Sequence, residues 1–534
     1  MPDEPADWFL AADERGNPHT DIDRGRDGRA WTEGNRVEPL VHGATYFARL
    51  LDALRPLGEG DMVLLTDWRG DGDERLDGTP GSELGAVLAK LAGRGVAVRG
   101  LVWRSHPDQA RLSEQEAQHL AAQVNAAGGQ MLLDQRVRRA GSHHQKLVLI
   151  RRSGSGEDVA FVGGIDLCHG RRDDERHRGD PQVIDLDPRY GDTPAWHDIQ
   201  LKLRGPAIGD LATTFRERWD DPTPLDHRNP WRRVLARRTR EPRRPEPLPP
   251  RPAEPGPAGT HAVQVLRTYP SKRPRFPFAP DGERSIARAY GKAFRRARRL
   301  IYLEDQYLWS EHVVGALADA LRTQPELRLV AVVPRYPEQD GRVSGPAERI
   351  GHQRALDMVL EAGGDRVLVV DPENDEGRPV YVHAKVCVVD DVWCIVGSDN
   401  LNLRSWTHDS ELSCAVLDPT RDERPPSDPA GLGDGARVLP RALRVSLAAE
   451  HLGRPVDDPG HLDPVAAFDL WRATAEQLDA WYAGGERGPR PPGRVRPHRP
   501  TRVRWWAAWW ASPAYRLVVD PDGRPRRLRG TARF

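Results

Sequence analysis

A repeated order of hydrophobic segments constrains this 534-residue chain more than any other feature. In the first half, periodicity predicts strand, helix, strand, helix and then further strands over residues 62–66, 84–93, 96–103, 113–127, 131–133, 146–150 and 159–162. The same order recurs at 300–303, 313–322, 327–333, 348–362, 367–370, 385–389 and 393–396. Strands that alternate with helices are typical of a sheet covered by helices. We therefore expect an α/β protein of two pseudo-symmetric lobes, each a mostly parallel or mixed β-sheet flanked by helices.

Proline marks the boundary between the lobes, because residues 245–259 (PEPLPPRPAEPGPAG) cannot form a packed core. The predicted division is a first lobe at 1–221, an Arg/Pro-rich linker at 222–259, a second lobe at 260–485 and an Arg/Pro/Trp-rich C-terminal tail at 486–534. In the tail, four tryptophans at helical spacing predict either packing against the body of the protein, which we favour, or an anchor at a lipid interface: Trp505, Trp506, Trp509 and Trp510.

Charge and cysteine content narrow the class of protein. Acidic and basic residues are equal at 79 each, so no basic excess favours a nucleic-acid partner. The four cysteines form no C-x-x-C pair and lie in apolar stretches, which predicts buried free thiols. No leader peptide and no long apolar run are visible. We expect a soluble, cytoplasmic monomer, with peripheral membrane contact as an open alternative.

Each predicted lobe contains one H-x-K segment, His144-Gln145-Lys146 and His383-Ala384-Lys385. Only six of the 79 basic residues are lysine, yet two of these six follow a histidine by two positions, at equivalent points of the repeat. Residues two apart in an extended segment share a face, so each histidine and lysine should project into the same space. This repetition predicts one active site that both lobes build.

Small and polar residues follow the second strand of each repeat, as Gly163-Gly164-Ile165-Asp166 and as Gly397-Ser398-Asp399-Asn400. Glycine permits close approach of the backbone, and the short polar side chains stand at matching offsets. These segments are therefore predicted to lie beside the paired histidines and lysines.

These segments resemble a known family. HQKLVLI with FVGGIDLCHGRRDD, and VHAKVCVVDDVWCIVGSDNLNLRSWTHDSEL, are similar to the two HKD motifs of the phospholipase D superfamily. VLLTDWRGDGDERL, AWHDIQLKLRGPA and LIYLEDQYLW also resemble that family, so the resemblance covers most of residues 40–485. The pattern is similar to bacterial and eukaryotic phospholipases D rather than to single-motif nucleases that dimerise. The resemblance implies the phospholipase D fold.

The resemblance also implies a mechanism, in which His144 attacks phosphorus to form a phosphohistidine. His383 would protonate the leaving alcohol and then activate water. A nucleophilic imidazole needs a carboxylate on its other N–H, and Asp198 and Glu411 are the best candidates, ahead of Asp173 and Asp409.

Charge on the phosphoryl oxygens would be neutralised by Lys146, Lys385 and Asn400. The predicted substrate-binding residues are Asp166, Gly164, Ser398 and Asp173. No metal ion and no cofactor are expected, because cationic side chains can stabilise the transition state and no carboxylate cluster for Mg²⁺ or Ca²⁺ is visible.

The first motif departs from the family pattern H-x-K-x4-D. His383, Lys385 and Asp390 satisfy it, but Arg151 occupies the last position in the first lobe. An aspartate there would shape the turn or make a structural contact, since it lies beyond the active-site end of the strand. The longer turn at 153–156 can close without it, so the replacement is expected to affect local geometry more than catalysis.

Three functions are compatible with the sequence. The leading hypothesis is an enzyme that hydrolyses a phospholipid to phosphatidic acid and a head-group alcohol, with possible transfer of the phosphatidyl group to another alcohol. A nuclease or other phosphodiesterase with the same site is the alternative within enzymes, although nucleic acid receives no support from the net charge. A lipid-binding pseudoenzyme is the third, but it would not need two intact His/Lys pairs.

Overall fold

The computed structural model describes most of the chain. The described residues are 5–22, 28–105, 114–154, 157–225, 242, 244–338, 344–503, 511–529, 531 and 533–534. The four tail tryptophans (505, 506, 509 and 510) and residues 226–241 and 243 of the predicted linker lie outside the described residues. Below, the first half means the described residues up to 225, and the second half those from 244 onward.

Eight strands form in the first half: β1 Thr32–Val41, β2 Met62–Asp67, β3 Ala97–Trp103, β4 Gln130–Asp134, β5 Leu147–Arg151, β6 Val159–Gly163, β7 Ala195–His197 and β8 Ile199–Arg204. The longer helices are Gly43–Leu54, Leu84–Gly93, Glu114–Ala126 and Ala207–Trp219, and a single turn spans Ala12–Arg15. Every element that the hydrophobic pattern predicts here is present within about three residues of its predicted bounds. Strands β2, β4, β5 and β6 are buried at every residue, which explains their uninterrupted apolar runs.

The second half repeats this plan. Its strands are β9 His261–Tyr269, β10 Glu283–Arg284, β11 Leu300–Asp305, β12 Arg328–Val332, β13 Val367–Pro372, β14 Val380–Val382, β15 Lys385–Val389, β16 Trp393–Gly397, β17 Glu411–Leu417 and β18 Val495–Pro497. Its helices are Ser285–Arg296, Glu311–Thr323, Ser344–Gly363, Leu403–Thr407, Val438–Leu452 and Pro464–Ala483.

One sheet connects the two halves. Among the described residues the strand order is β4-β3-β2-β5-β6-β8-β1, continued by β9-β17-β16-β15-β11-β12-β13-β18, with β10 paired to β9. The order on one side of the β1–β9 contact mirrors the order on the other, so the predicted pseudo-symmetry of an α/β fold is confirmed. Parallel pairing is confined to β2-β3-β4 and β11-β12-β13, and the rest of this sheet is antiparallel. The sheet is therefore mixed rather than mostly parallel.

The two halves of the sheet pack face to face. Strand β6 of the first half contacts β16 and β17 of the second. Their inner faces share one apolar core with the helices Ala207–Trp219 and Val438–Leu452, and this core includes Leu149, Val162, Val386, Cys414 and Leu447. The helix Pro464–Ala483 joins the same core through Phe468, Trp471 and Ala475. Two further cores cover the outer faces under the other long helices. This packing brings the start of β5 beside the start of β15.

Residues beyond the main body also join the fold. The N-terminal segment packs on the second half, where the Leu10 amide donates to Gln264 Oε1 at 3.0 Å and Arg15 pairs with Glu283 at 2.9 Å. From the predicted tail, β18 extends the sheet at β13, and the Tyr515 hydroxyl donates to the carbonyl of Trp309 at 2.9 Å. These described parts of the tail pack against the body.

Two smaller expectations can be compared with the structure. All four cysteines are buried and free, which confirms the prediction from their apolar surroundings. Among the described residues, no helix combines the length and the apolar character that a membrane crossing needs.

The motif aspartate has a structural contact, as predicted. Asp390 accepts hydrogen bonds from the backbone amides of Arg298, Arg299 and Leu300 at 2.7, 2.8 and 2.8 Å, so it fixes the entry to β11. At the equivalent place in the first half, Arg151 donates to Asp158 at 2.8 Å and to the carbonyl of Ala253. A buried ion pair across the hairpin thus replaces the carboxylate.

Candidate active site

Two histidines from opposite halves are each held by a carboxylate of the other half. His144 Nδ1 lies 2.9 Å from Glu411 Oε2, and His383 Nδ1 lies 2.7 Å from Asp198 Oδ2. The sequence predicts both histidines and both carboxylates as site residues, and the structure brings them together in these two pairs. It gave no indication that the two pairs would cross between halves.

Backbone pairing explains this crossing. Strand β14, which leads into His383, runs parallel to β7, which leads into Asp198. A parallel bridge between His143 and Ser410 does the same for His144 and Glu411. Each histidine therefore enters the site beside the carboxylate that opens a strand of the opposite half.

Burial shapes the protonation of both imidazoles. It lowers the pKa of His144 well below its usual value, and the charge of Lys146 lowers it further. Burial likewise lowers the pKa of His383, with Lys385 and then Arg171 adding to the shift. Both imidazoles are thus neutral, and a carboxylate acceptor at Nδ1 assigns the N–H to that atom. Among the described residues neither Nε2 has a hydrogen-bond partner, so each is free to meet a substrate.

The carboxylates are strongly desolvated. Burial raises the pKa of Glu411 to about 8, and the charge of Asp409 adds to this effect. Burial also raises the pKa of Asp198 to about 6, against the opposing charge of Lys385. Both groups therefore resist ionisation more than an exposed carboxylate does.

Both lysines lie next to their histidines. Lys146 Nζ donates to the carbonyl of His144 at 3.2 Å and lies 3.1 Å from Asp166 Oδ1. Lys385 Nζ donates to the carbonyl of His383 and, at 3.2 Å, to Gln306 Oε1. Burial lowers the pKa of Lys385 to about 8. The site thus concentrates positive charge where an anionic phosphodiester could lie.

The equivalent residues Asp166 and Asn400 differ in their contacts. Burial opposes ionisation of Asp166, but Lys146 and Arg171 outweigh it and hold the pKa of this carboxyl well below its usual value. Asn400 is buried, and its Oδ1 has no hydrogen-bond partner among the described residues. Its carboxamide therefore keeps a polar edge available for a ligand.

Three of the predicted substrate-binding residues contact other residues of the site. A Cβ at Gly164 would lie 2.2 Å from Asp198 Oδ1, so only glycine allows this approach. The Ser398 hydroxyl donates to Glu411 Oε2 at 2.6 Å, and Asp173 accepts from the Trp196 amide at 2.8 Å. These contacts position the carboxylates and β7, and a direct contact of Gly164, Ser398 or Asp173 with substrate stays a prediction.

Arg171 also lies at the candidate site, although the motifs do not single it out. Its guanidinium lies 3.7 Å from the centre of the Trp196 ring, and Nη2 lies 3.4 Å from Asp166 Oδ2. Its buried Nε and Nη1 have no hydrogen-bond partner among the described residues. Arg171 lies in the stretch HGRRDD of the first motif, but in an arginine-rich chain a single arginine does not stand out as a site residue.

An open cleft adjoins the second half of the site. Gln306, which binds Lys385, and Tyr381, whose ring stacks at 6.4 Å from that of His383, line its inner end. Further out its walls are aromatic and basic, with Tyr307, Trp309, Tyr336, Arg189 and Arg335. Among the described residues, the groups that could hold a metal ion lie behind Asp198, at His42, His177, His197 and Glu450, with a second set at His197, Glu304 and His451.

Two protein-family models match the chain. The family described as Phospholipase D matches residues 61–229 and 372–484, which is just over half of the chain. The family described as Cardiolipin synthase, PLD-like domain, matches residues 291–423.

Plant proteins are among the curated relatives that the chain matches. Phospholipase D beta 2 of Arabidopsis thaliana is 28% identical over 516 residues, with 73% of this chain and 55% of the relative covered. Phospholipase D alpha 2 of Oryza sativa subsp. japonica is 27% identical over 577 residues, with 83% and 68% covered. The chain spans about half the length of the Arabidopsis relatives. Since both H-x-K segments lie inside the matched regions, the chain belongs to the phospholipase D superfamily.

Proposed function

We propose that this protein is a phospholipase D-type phosphodiesterase that releases phosphatidic acid and a head-group alcohol from a phospholipid. One observation carries the proposal: two neutral imidazoles from opposite halves, each with Nδ1 on a buried carboxylate, stand beside two buried lysines. This arrangement fits a two-step displacement at phosphorus.

In the first step, His144 Nε2 attacks phosphorus and the bond from phosphorus to the head-group oxygen breaks. Glu411 accepts the hydrogen bond of Nδ1–H and so stabilises the positive charge that develops on the imidazole. The leaving oxygen takes a proton from His383. The product of this step is a phosphohistidine on His144.

His383 must carry a proton when it acts as the acid. In the free protein burial and then the surrounding cations lower the pKa of His383, but a bound phosphodiester brings a negative charge that raises the pKa of the nearby imidazole. Substrate binding itself would therefore favour the protonated form of His383. Once neutral, His383 removes a proton from water, whose oxygen attacks phosphorus and breaks the P–N bond to His144.

Charge on the non-bridging oxygens would be balanced by Lys146, Lys385 and Arg171, with Asn400 as a further hydrogen-bonding group. Another alcohol in the place of water would give transfer of the phosphatidyl group. The cleft beside Gln306 and Tyr381 has the aromatic and basic walls that could hold part of a phospholipid.

A nuclease remains the alternative, and one observation favours it. A second cavity has eight basic residues and one acidic residue in its wall, which gives a strong local positive charge in a chain of zero formal net charge. Its basic residues are Arg138, Arg139, Lys272, Arg273, Arg275, Arg524, Arg526 and Arg529.

One experiment separates these functions. Purified full-length protein is incubated with vesicles of several phospholipids and with single- and double-stranded DNA, and the products are identified by mass spectrometry. Phosphatidic acid with free head-group alcohol supports the proposal, whereas shortened DNA without lipid products supports a nuclease. Lipid binding without turnover would indicate a pseudoenzyme. His144→Ala should abolish the reaction, and the exposed His119→Ala serves as the matched control.

A further inference from the structure

Three histidines converge on one glutamate behind the candidate active site. Glu450 Oε2 lies 2.9 Å from His42 Nε2, and its Oε1 lies 3.0 Å from His177 Nε2 and 3.4 Å from His197 Nδ1. All four ligand-type atoms lie within 4.8 Å of one another. The residues come from β7, the helix Val438–Leu452 and two loops, so tertiary packing alone assembles them.

The imidazole rings form a nearly equilateral triangle. The ring centres of His42 and His177 are 5.1 Å apart, those of His42 and His197 5.2 Å, and those of His177 and His197 5.5 Å. Each pair of rings is steeply inclined, by 80°, 76° and 61°. The rings thus point edge-first toward a common centre rather than stacking.

The distances from the Glu450 oxygens to the three ring nitrogens, 2.9, 3.0 and 3.4 Å, are those expected between ligands of one metal ion. Ligand atoms at about 2.0–2.1 Å from a tetrahedral zinc ion lie about 3.3 Å from one another. Three imidazole nitrogens and one carboxylate oxygen are a ligand set that suits zinc among the divalent transition metals. Four protein ligands would close the coordination shell, which is typical of a structural rather than a catalytic site.

The residues around this set orient the ligands. His197 Nε2 lies 2.7 Å from Glu304 Oε2, and the other oxygen of Glu304 lies 3.0 Å from His451 Nε2. His177 Nδ1 lies 3.3 Å from the carbonyl of Trp196. Such partners place the N–H on the outward nitrogen and leave the lone pair of the inward nitrogen for a metal.

A second observation points to a ligand independently. His197 is fully buried, and its Nδ1, which lies 3.4 Å from Glu450 Oε1, makes no hydrogen bond of good geometry among the described residues. A buried polar atom without a partner is costly. Coordination would satisfy this atom.

We propose that His42, His177, His197 and Glu450 bind one divalent transition-metal ion, with zinc as the preferred ion. The ion would not touch the reacting atoms, and the inference does not depend on which phosphodiester is the substrate.

The role of this site is positional. The amides of His383 and Ala384 donate to the carbonyl of His197 at 2.8 and 3.2 Å, and the amide of His42 donates to the carbonyl of Asp198 at 2.9 Å. Ligation of His42 and His197 would therefore fix the segment that carries Asp198, the carboxylate on His383. The metal ion would therefore hold Asp198 in position without contacting it.

Metal content of the purified full-length protein tests the proposal. Plasma mass spectrometry should find about one zinc ion per chain after dialysis against zinc and removal of the excess. His177→Ala and Glu450→Gln should hold almost none, whereas the exposed His119→Gln should retain it. Glu304→Gln, which changes only the group that orients His197 through Nε2, should weaken zinc binding by about 10- to 100-fold.

A measurement on the wild-type protein tests the proposal even if the variants fail to fold. Protein produced with cobalt in place of zinc should show the intense visible absorption of a tetrahedral Co²⁺ site, and added zinc should abolish it. Wild-type protein that takes up neither ion, and whose melting temperature does not respond to zinc, would overturn the proposal. The four residues would then be a hydrogen-bonded network alone.

Discussion

His144 and Glu411 are 267 positions apart in the chain, yet their side chains meet at 2.9 Å. The reciprocal pair, His383 and Asp198, meets at 2.7 Å across 185 positions. Neither half of the molecule can orient its own histidine. A complete site therefore requires both halves in register, and the face-to-face packing of β6 against β16 and β17 supplies that register.

The two histidines should have different tasks. An ester of an acidic alcohol such as p-nitrophenol scarcely needs protonation to leave, so His383→Ala should still give a phosphohistidine burst on it. His144→Ala should give no burst, because the nucleophile is gone. Rapid-quench measurement of released nitrophenol checks both, and a covalent adduct on residue 383 would reverse the assignment.

Activity should peak near pH 8. Glu411, whose pKa burial raises to about 8, accepts the Nδ1 hydrogen bond of His144 only when it is ionised, so activity should fall as the pH drops below this value. Lys385, whose pKa burial lowers to about 8, stabilises phosphoryl oxygens only when it is protonated, so activity should also fall at higher pH. The profile of kcat/KM reports these values as properties of the coupled site. A flat profile between pH 6 and 10 would contradict this assignment.

The chemical step should not need a metal at phosphorus. Brief treatment with excess EDTA should leave the rate of hydrolysis unchanged, because lysine, arginine and asparagine side chains balance the phosphoryl charge. A zinc ion buried behind Asp198 would exchange slowly and would survive such treatment. Immediate loss of activity that Mg²⁺ or Ca²⁺ restores would show that the reaction uses a hard cation at the phosphate.

Gly164 should be intolerant of a side chain. In Gly164→Ala the new Cβ would lie 2.2 Å from Asp198 Oδ1, so Asp198 must move away from His383. A displacement of about 1 Å in such a site can cost about 10²-fold in rate, and we expect a loss of kcat of that order. Gly154→Ala, where nothing lies within 4 Å of the new atom, is the matched control and should behave as wild type.

Replacement of Arg151 should affect stability more than turnover. Arg151→Asp removes a buried ion pair and sets a second carboxylate beside Asp158, which should lower the free energy of unfolding by about 3 kcal/mol. Turnover below the melting temperature should stay within about tenfold, because the pair lies at the far end of β5 from His144. Arg152→Ala, which breaks a more exposed pair with Glu157, should change stability by less than about 1 kcal/mol. Urea unfolding and initial rates distinguish the two variants.

The sequence by itself determined the local elements and the residue types of the site. Apolar periodicity located the strands and helices that repeat between the halves, because burial on one face or on both leaves a pattern within a few neighbouring residues. The two H-x-K segments predict His144, Lys146, His383 and Lys385 as site residues. The strand openings after them predict the carboxylates Asp198 and Glu411.

Tertiary structure decided which groups meet. The exchange of carboxylates between halves, the place of Arg171 over Trp196 and the convergence of His42, His177 and His197 on Glu450 depend on strand pairing and on packing between distant segments. Tertiary structure also decided how few strand pairs are parallel, since this number follows from the order of strands in the sheet. Hydrophobic periodicity is a local pattern and does not predict contacts between residues hundreds of positions apart. Those contacts arise only when two apolar faces are buried against each other.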